Sequence, residues 1–154
     1  MRFLPGAGLT RTAAVVLALA LGACGNPFSS SGPEEDLEVA RRAWSRQGIT
    51  SYRFTVNVLC FCIERGPFAV VVEQGRVVSV TDAEGAPRTP NEFVPLTVEA
   101  LFAKVEDAID RDAHDLEVRY DPRLGYPLEI AIDFVELAID DEVTYVASDL
   151  VASR

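Results

Sequence analysis

The sequence has little of what most catalytic and nucleic-acid-binding sites need. It contains one histidine, His114, and its 14 lysines and arginines are outnumbered by 24 aspartates and glutamates. The resulting net charge of −10 repels nucleic acid, so the composition argues against a DNA- or RNA-binding protein. The chain also lacks a glycine-rich phosphate loop and a Gly-x-Ser-x-Gly motif. We therefore expect no nucleotide, no cofactor and no serine-hydrolase chemistry.

Cysteine is scarce as well, with only Cys24, Cys60 and Cys62 in the chain. A zinc site needs three or four nitrogen, sulfur or oxygen ligands, and His114 is far in sequence from both later cysteines. The sequence therefore predicts no resident metal. The Cys60-x-Cys62 spacing also differs from the Cys-x-x-Cys of thioredoxin-like enzymes, which disfavours that class.

The first 23 residues have the pattern of a bacterial signal peptide. Arg2 and Arg11 precede an apolar run over 13–21 that is too short to serve as a stable membrane span. The run ends in Leu21-Gly22-Ala23-Cys24, which resembles the lipobox of bacterial lipoproteins. The resemblance implies cleavage before Cys24 and a diacylglyceryl thioether on its sulfur. An ordinary secretory signal with an incidental cysteine is the alternative.

Lipidation at Cys24 would hold the mature chain at a membrane through acyl chains. Loss of Arg2 and Arg11 leaves 12 of the 14 basic residues and a net charge of −12, so a polybasic contact with anionic lipid is disfavoured. We expect a position in the cell envelope, on the extracytoplasmic side. Because Gly25 rather than an aspartate follows the cysteine, the lipobox resemblance implies the outer membrane in a bacterium that has two membranes.

The rest of the chain is expected to form a tether over 24–33 and one folded domain over 34–154. A helix is predicted from the acidic run after Pro33 up to Gly48, with Leu37, Ala40 and Trp44 on one side. Alternating apolar residues then predict a strand over 51–59 and a hairpin over 68–81. A breaker-rich stretch over 82–95 is expected to be an exposed loop.

The same order of elements is predicted again in the second half. Thr97 is a suitable N-cap for a helix with an apolar stripe, and three strands follow, the last over about 143–150. The predicted fold class is therefore α+β, with tandem units of one helix and a three-stranded meander. We expect one antiparallel sheet with both helices packed on one face.

The pair Cys60 and Cys62 is the sharpest side-chain feature of the predicted domain. Residues i and i+2 of a regular strand are about 6.5–7 Å apart, so a disulfide between them requires the strand to end or bulge. Gly66 and Pro67 nearby are consistent with such a break. We predict a structural disulfide in a tight loop; a redox-active pair, two reduced core cysteines and a soft-metal site are the alternatives.

Two further groups of residues, one acidic cluster and one histidine, have side chains that could carry chemistry. An acidic cluster precedes the last predicted strand and could offer oxygen ligands to a hard cation, although a solvated hairpin end is the favoured interpretation. His114 lies between Asp112 and Asp115 in a predicted loop, without a recognisable nucleophile, and is interpreted as a solvated histidine. The acidic cluster consists of Asp133, Glu136, Asp140, Asp141 and Glu142.

An ordered series of short motifs spans most of the predicted domain. It begins at Trp44, continues through Tyr52-Arg53-Phe54 and Cys60-Phe61-Cys62, and ends with Gly125-Tyr126-Pro127, Asp133 and Asp141-Glu142. This series resembles a family of uncharacterised bacterial lipoproteins, a domain of unknown function, over about residues 44–145. The resemblance implies a secreted or lipid-anchored domain and assigns no activity.

Two functions follow from these features. The first is a non-enzymatic, lipid-anchored envelope protein with a binding or structural role, whose partner would be another envelope component. The second is a thiol-redox or metal-handling envelope protein that uses Cys60 and Cys62. We prefer the first, because recognised catalytic constellations are missing and the lone histidine has no evident partner.

Overall fold

Two helices and six strands follow one another in a computed structural model that describes residues 32–63, 66–138 and 140–153. The order helix, strand, strand, strand occurs in the first half of the chain and again in the second. The elements are α1 (Pro33–Gln47), β1 (Tyr52–Leu59), β2 (Phe68–Glu73), β3 (Arg76–Thr81), α2 (Val98–Asp110), β4 (Asp115–Tyr120), β5 (Pro127–Asp133) and β6 (Val143–Ala152).

Local sequence sets the ends of both helices. Pro33 lies in the first turn of α1, where its missing N–H costs no hydrogen bond, and three carboxylates follow it. Gly48 ends α1 in the left-handed conformation, with φ of 62°, and its N–H donates to the carbonyl of Ser45. Thr97 caps α2, since its side-chain oxygen accepts a hydrogen bond from the Ala100 N–H at 3.0 Å.

The six strands form one antiparallel sheet. Their order across the sheet is β3-β2-β1-β6-β5-β4, so the two groups of three strands meet where β1 pairs with β6. In that pairing Leu59 lies opposite Thr144, and in the next pairing Ile132 of β5 lies opposite Val143. The end of β1, the start of β6 and the end of β5 are therefore at the same end of the sheet.

One face of the sheet carries the hydrophobic core. Along β1, buried residues alternate with exposed or half-buried ones, as expected for a strand with one covered face. Both helices contribute buried residues to the same cluster. Its larger members are Leu37, Trp44, Tyr52, Phe54, Val56, Val58, Phe68, Val70, Val72, Leu101, Phe102, Val105, Tyr120, Tyr126, Ile130, Ile132 and Tyr145.

Tyr52 joins β1 to both helices. Its hydroxyl accepts a hydrogen bond from the Val98 N–H at 2.9 Å and lies 3.4 Å from one carboxylate oxygen of Glu99, to which it donates. The indole N–H of Trp44 donates to the other Glu99 oxygen at 3.0 Å, and its ring meets the Tyr52 ring edge-on at 5.7 Å. Polar groups of two buried aromatic residues thus share one carboxylate at the start of α2.

Gly125 sets the distance between α1 and the turn that joins β4 to β5. Its φ of +86° is unfavourable for residues with a side chain. A Cβ atom built there would lie 2.6 Å from both the Ala40 carbonyl oxygen and the Ala43 Cβ. The backbone of this turn can therefore approach the helix only because residue 125 has no side chain.

The structure confirms the α+β class, with two helices and six antiparallel strands in the described residues. Several boundaries differ from the prediction. Pro33 belongs to α1 rather than to the tether, and β6 continues to Ala152 because its last residues pair with the start of β1. The stretch over 82–95 is not wholly exposed: Pro87 bridges to Thr81, and Val94 is buried.

Replacing Gly125 by alanine is expected to destabilise the domain by about 2–4 kcal/mol, because positive φ and a backbone clash act together. Gly75→Ala is the matched control. Gly75 also has positive φ, +76°, but has no atom within 4 Å of the added Cβ, so about 1–2 kcal/mol is expected there. Urea unfolding of both variants measures the difference, and equal losses would contradict the proposed close approach.

Burial of the tyrosine side chains predicts that the domain loses stability at alkaline pH. All four tyrosines have a pKa above the ordinary value near 10, chiefly because burial disfavours the phenolate. The raised pKa contributes stability that is fully present below about pH 10, where the unfolded tyrosines begin to ionise, and is lost as the pH rises further. Phenolate absorbance should therefore appear together with unfolding. Phenols that ionise near pH 10 while the domain stays folded would contradict this expectation.

Candidate functional site

The chain leaves the sheet after β1 through a two-cysteine loop. The Cα atoms of Cys60 and Cys62 are 5.2 Å apart, closer than the i and i+2 positions of a regular strand, and their sulfur atoms form a disulfide. Strand geometry ends at Leu59, one residue before the bridge. The bridge therefore closes a small ring with Phe61 between the two cysteines.

Several large apolar side chains around this ring are exposed. Ile63 is 100 % exposed, Leu137 is 89 % exposed and Phe61 is 79 % exposed. Leu59 and Val135 are also more than half exposed. We call this surface the disulfide end and define it as residues 59–63, 91–93, 134–138 and 140–142. The topology brings these segments to one end of the sheet, since β1, β6 and β5 are neighbours.

A shallow apolar depression lies beside the disulfide. It is lined by Cys62, Ile63, Asn91 and Phe93. The Phe93 ring packs against the ring of Tyr145 with 5.7 Å between their centroids, and the single lysine of the chain, Lys104, lies 5.2 Å above Phe93. These two contacts hold the Phe93 ring, which also lines the depression.

The chain after β3 adds carboxylates to the same region. Ile63 also lines a second depression, together with Asp82, Glu84 and Arg88. Arg88 already faces Asp82 across 3.7 Å, so its charge is compensated within the chain. The side of the disulfide end next to β3 is therefore apolar at Ile63 and acidic beyond it.

The connection from β5 to β6 is more strongly acidic. Asp133 accepts a hydrogen bond from the Val135 N–H at 3.0 Å, and both carboxylate oxygens of Asp141 are shielded from solvent without a partner among the described residues. Neither Asp140 nor Glu142 forms an ion pair within the described part of the chain. The negative charge of this segment is thus not compensated locally.

The acidic cluster is not gathered into a metal site in this structure. Across residues 32–63, 66–138 and 140–153, no group of three or more histidine, cysteine, aspartate and glutamate side chains could hold a metal ion. Asp133 ends β5, and Glu136, Asp140, Asp141 and Glu142 follow it in the connection to β6. The shielded carboxylate of Asp141 differs from the solvated hairpin end that the sequence favoured.

His114 is separate from the disulfide ring in the chain and in its contacts. It is exposed, lies between α2 and β4, and makes no hydrogen bond or ion pair with a described residue. An activated nucleophile needs a base within hydrogen-bonding distance. His114 therefore supplies no such base to the described side chains in this structure.

Sequence reasoning identified Cys60 and Cys62 but missed most of the surface around them. Phe93, Val135 and Leu137 lie in connections, where their apolar character has neither the helical nor the strand period. The sequence offers one indirect signal. These large apolar residues lie in acidic loops, where no helix or strand pattern predicts that they are buried. Their position beside the cysteines depends on the β1–β6 pairing, which spans most of the chain.

The predicted lipidation site, Cys24, and the signal peptide expected over 1–23 lie outside the residues that the structure describes. Within the described residues, none of the helices has the length and apolar character needed to cross a membrane.

These observations define a small α+β domain with an apolar, disulfide-closed loop at one end of its sheet. The chain belongs to the Family of unknown function (DUF6174), whose family model matches residues 36–152. The match includes nearly all of α1 and every other described element. Comparisons with curated proteins and with solved structures gave no match. Membership confirms the expected family of unknown function, whereas lipidation and bacterial origin stay predictions.

The disulfide is expected to persist in protein isolated from its native host. A non-reduced digest should give a peptide lighter by two hydrogens than its reduced form. Changing Cys60 and Cys62 together to serine should cost about 1–2 kcal/mol of unfolding free energy, because so short a loop restricts the unfolded chain only slightly. Mass spectrometry and urea unfolding check both expectations, and two free thiols in the isolated protein would contradict the first.

Proposed function

We propose that the chain is a lipid-anchored protein of the bacterial cell envelope that binds a partner in that compartment without catalysing a reaction. The observation that carries the binding role is the exposed apolar surface of the disulfide end. Single exposed apolar residues need no explanation, but an exposed apolar patch is typical of an interaction site, and the disulfide end brings several such residues to one end of the sheet. Phe61, Ile63 and Leu137 are the most exposed of these residues.

The proposed anchor supports the same role through local concentration. Attachment at Cys24 would confine the domain to a membrane surface, together with other envelope proteins. Confinement raises the effective concentration of a partner, so a contact of modest affinity is sufficient. The extracytoplasmic side follows from the lipobox resemblance, and the outer membrane follows where the bacterium has one.

A second function is favoured by one specific observation, the partial exposure of the Cys60–Cys62 disulfide at the surface of the domain. A thiol-redox protein needs an accessible cysteine pair, whereas a buried structural pair is inert. We rank this function below binding, since none of the described residues that line the depression beside Cys62 is a histidine or a cation that would activate a thiol.

Two sets of variants test the proposed anchor and separate the two functions. Cells grown on a labelled fatty acid should label the wild-type protein, while Cys24→Ser should carry no label, because the thioether forms on that sulfur. A second variant with Cys60→Ser and Cys62→Ser is the matched control and should keep the label. Label retained by Cys24→Ser would overturn the proposed anchor.

The same variants are then expressed in a strain that lacks the chromosomal gene. A binding role predicts that the Cys60→Ser/Cys62→Ser protein still restores the phenotype at least in part once its amount is matched to wild type, because Phe61 and the other exposed apolar side chains remain. Complete failure to restore, in variant protein that circular dichroism shows to be folded at the growth temperature, would favour the redox function over binding.

A further inference from the structure

We infer that the disulfide end binds a protein surface that combines an apolar recess for Phe61 with lysine or arginine side chains. The inference rests on the proposed binding function and specifies where the partner binds and what chemistry it offers. It follows from three features of the disulfide end: the position of Phe61, the uncompensated carboxylates beside it, and the engagement of the nearby cations.

Phe61 has the position of an anchor residue. The disulfide between its two neighbours curls the chain, so the phenyl ring projects from the end of the sheet and is 79 % exposed. A short covalent ring also limits the conformations that residue 61 can adopt. An aromatic side chain held in this way loses little entropy on binding, and aromatic anchors in pockets supply much of the energy of protein interfaces.

The charge around Phe61 specifies the partner further. Asp140 and Glu142 precede β6, and the pairing of Leu59 with Thr144 places that segment beside the cysteine loop. Both carboxylates are exposed and have no ion pair among the described residues. A partner that brings positive charge to this rim gains electrostatic attraction and faster association.

Within residues 32–63, 66–138 and 140–153, two cations beside the disulfide end are already engaged. The Nζ atom of Lys104 lies over the rings of Phe93 and Tyr145, 5.2 and 5.6 Å from their centroids. Arg111 contacts the Phe134 ring at 3.8 Å and pairs with Asp107 at 3.2 Å. Among the described residues, these cations are thus not available to compensate the rim, and a partner with lysine or arginine side chains would supply that charge.

This charge pattern favours a different protein over a membrane or a second copy. Anionic headgroups would meet Asp140 and Glu142 with like charge, and so would the same end of another copy of this chain. A basic protein surface meets no such repulsion. A membrane contact and self-association are accordingly two outcomes that the experiment must be able to detect.

The first experiment places a photoreactive benzophenone amino acid in the full-length chain, in its native host. Positions 61 and 137 probe the disulfide end, and position 78 is the control, because Val78 is also an exposed apolar residue but lies in β3. We expect crosslinks to a protein from 61 and 137, and several-fold less from 78.

With the probe at 137, Phe61→Ala should lower the crosslink yield about fivefold, as for the loss of an interface anchor, whereas Val78→Ala should leave it unchanged.

The second experiment measures the charge requirement with the purified chain and the crosslinked partner. Asp140→Asn with Glu142→Gln should slow association and weaken its dependence on salt. Glu73→Gln with Glu117→Gln is the matched control, since these exposed carboxylates lie in other parts of the sheet. Thermal unfolding of each variant verifies that the domain stays folded.

The possible results separate this inference from the proposed function. Crosslinks to lipid, or to a second copy, from positions 61 and 137 would overturn the inferred partner class. Protein crosslinks that are equally strong from position 78, or equal effects of the two charge variants, would overturn the site while leaving the binding function in place. An absence of protein crosslinks from all three positions would contradict both.

Discussion

The pairing of β1 with β6 is the constraint on which the rest of the structure depends. It joins the first three-strand group to the second, although Tyr52 and Ala152 are separated by most of the folded chain. Without it, each group would be a small sheet with one more open edge, and the buried side chains of β1 and β6 would lose each other as neighbours. Tyr52 of β1 also connects this part of the sheet to the helices. Its hydroxyl hydrogen-bonds to the Val98 N–H and to the Glu99 carboxylate, which Trp44 of α1 also contacts.

The same pairing determines what lies at the disulfide end. Because β1 and β6 are antiparallel, the chain that leaves β1 and the chain that enters β6 meet at one end of the sheet. β5 ends there as well, since Ile132 lies opposite Val143. The loop after β1 and the connection from β5 to β6 thus lie at one end of the sheet, and Phe93 joins them through its contact with Tyr145 of β6. The disulfide adds a local constraint on a position that the sheet has already fixed.

Local patterns were sufficient to predict most of the elements but not their assembly. Strand alternation predicted the bounds of β1 within a residue, and the Thr97 cap predicted the start of α2, because those features depend on neighbours in sequence. The last two residues of β6 were missed, because they are ordered by pairing with Tyr52 and Arg53. The cysteine pair could be singled out from its spacing, whereas the apolar surface around it could not. That surface exists only once long-range strand order is known.

The acidic composition and the exposed apolar residues have opposite effects on association between identical molecules. An apolar surface as exposed as Phe61, Ile63 and Leu137 promotes association between identical molecules. A net charge of −10 opposes such association, and carboxylates beside the apolar residues oppose it most strongly at the surface where contact would occur. The same charges attract a partner of opposite sign. In the proposed binding role, acidic residues near the disulfide end would discriminate between partners, while the apolar residues would supply the binding energy.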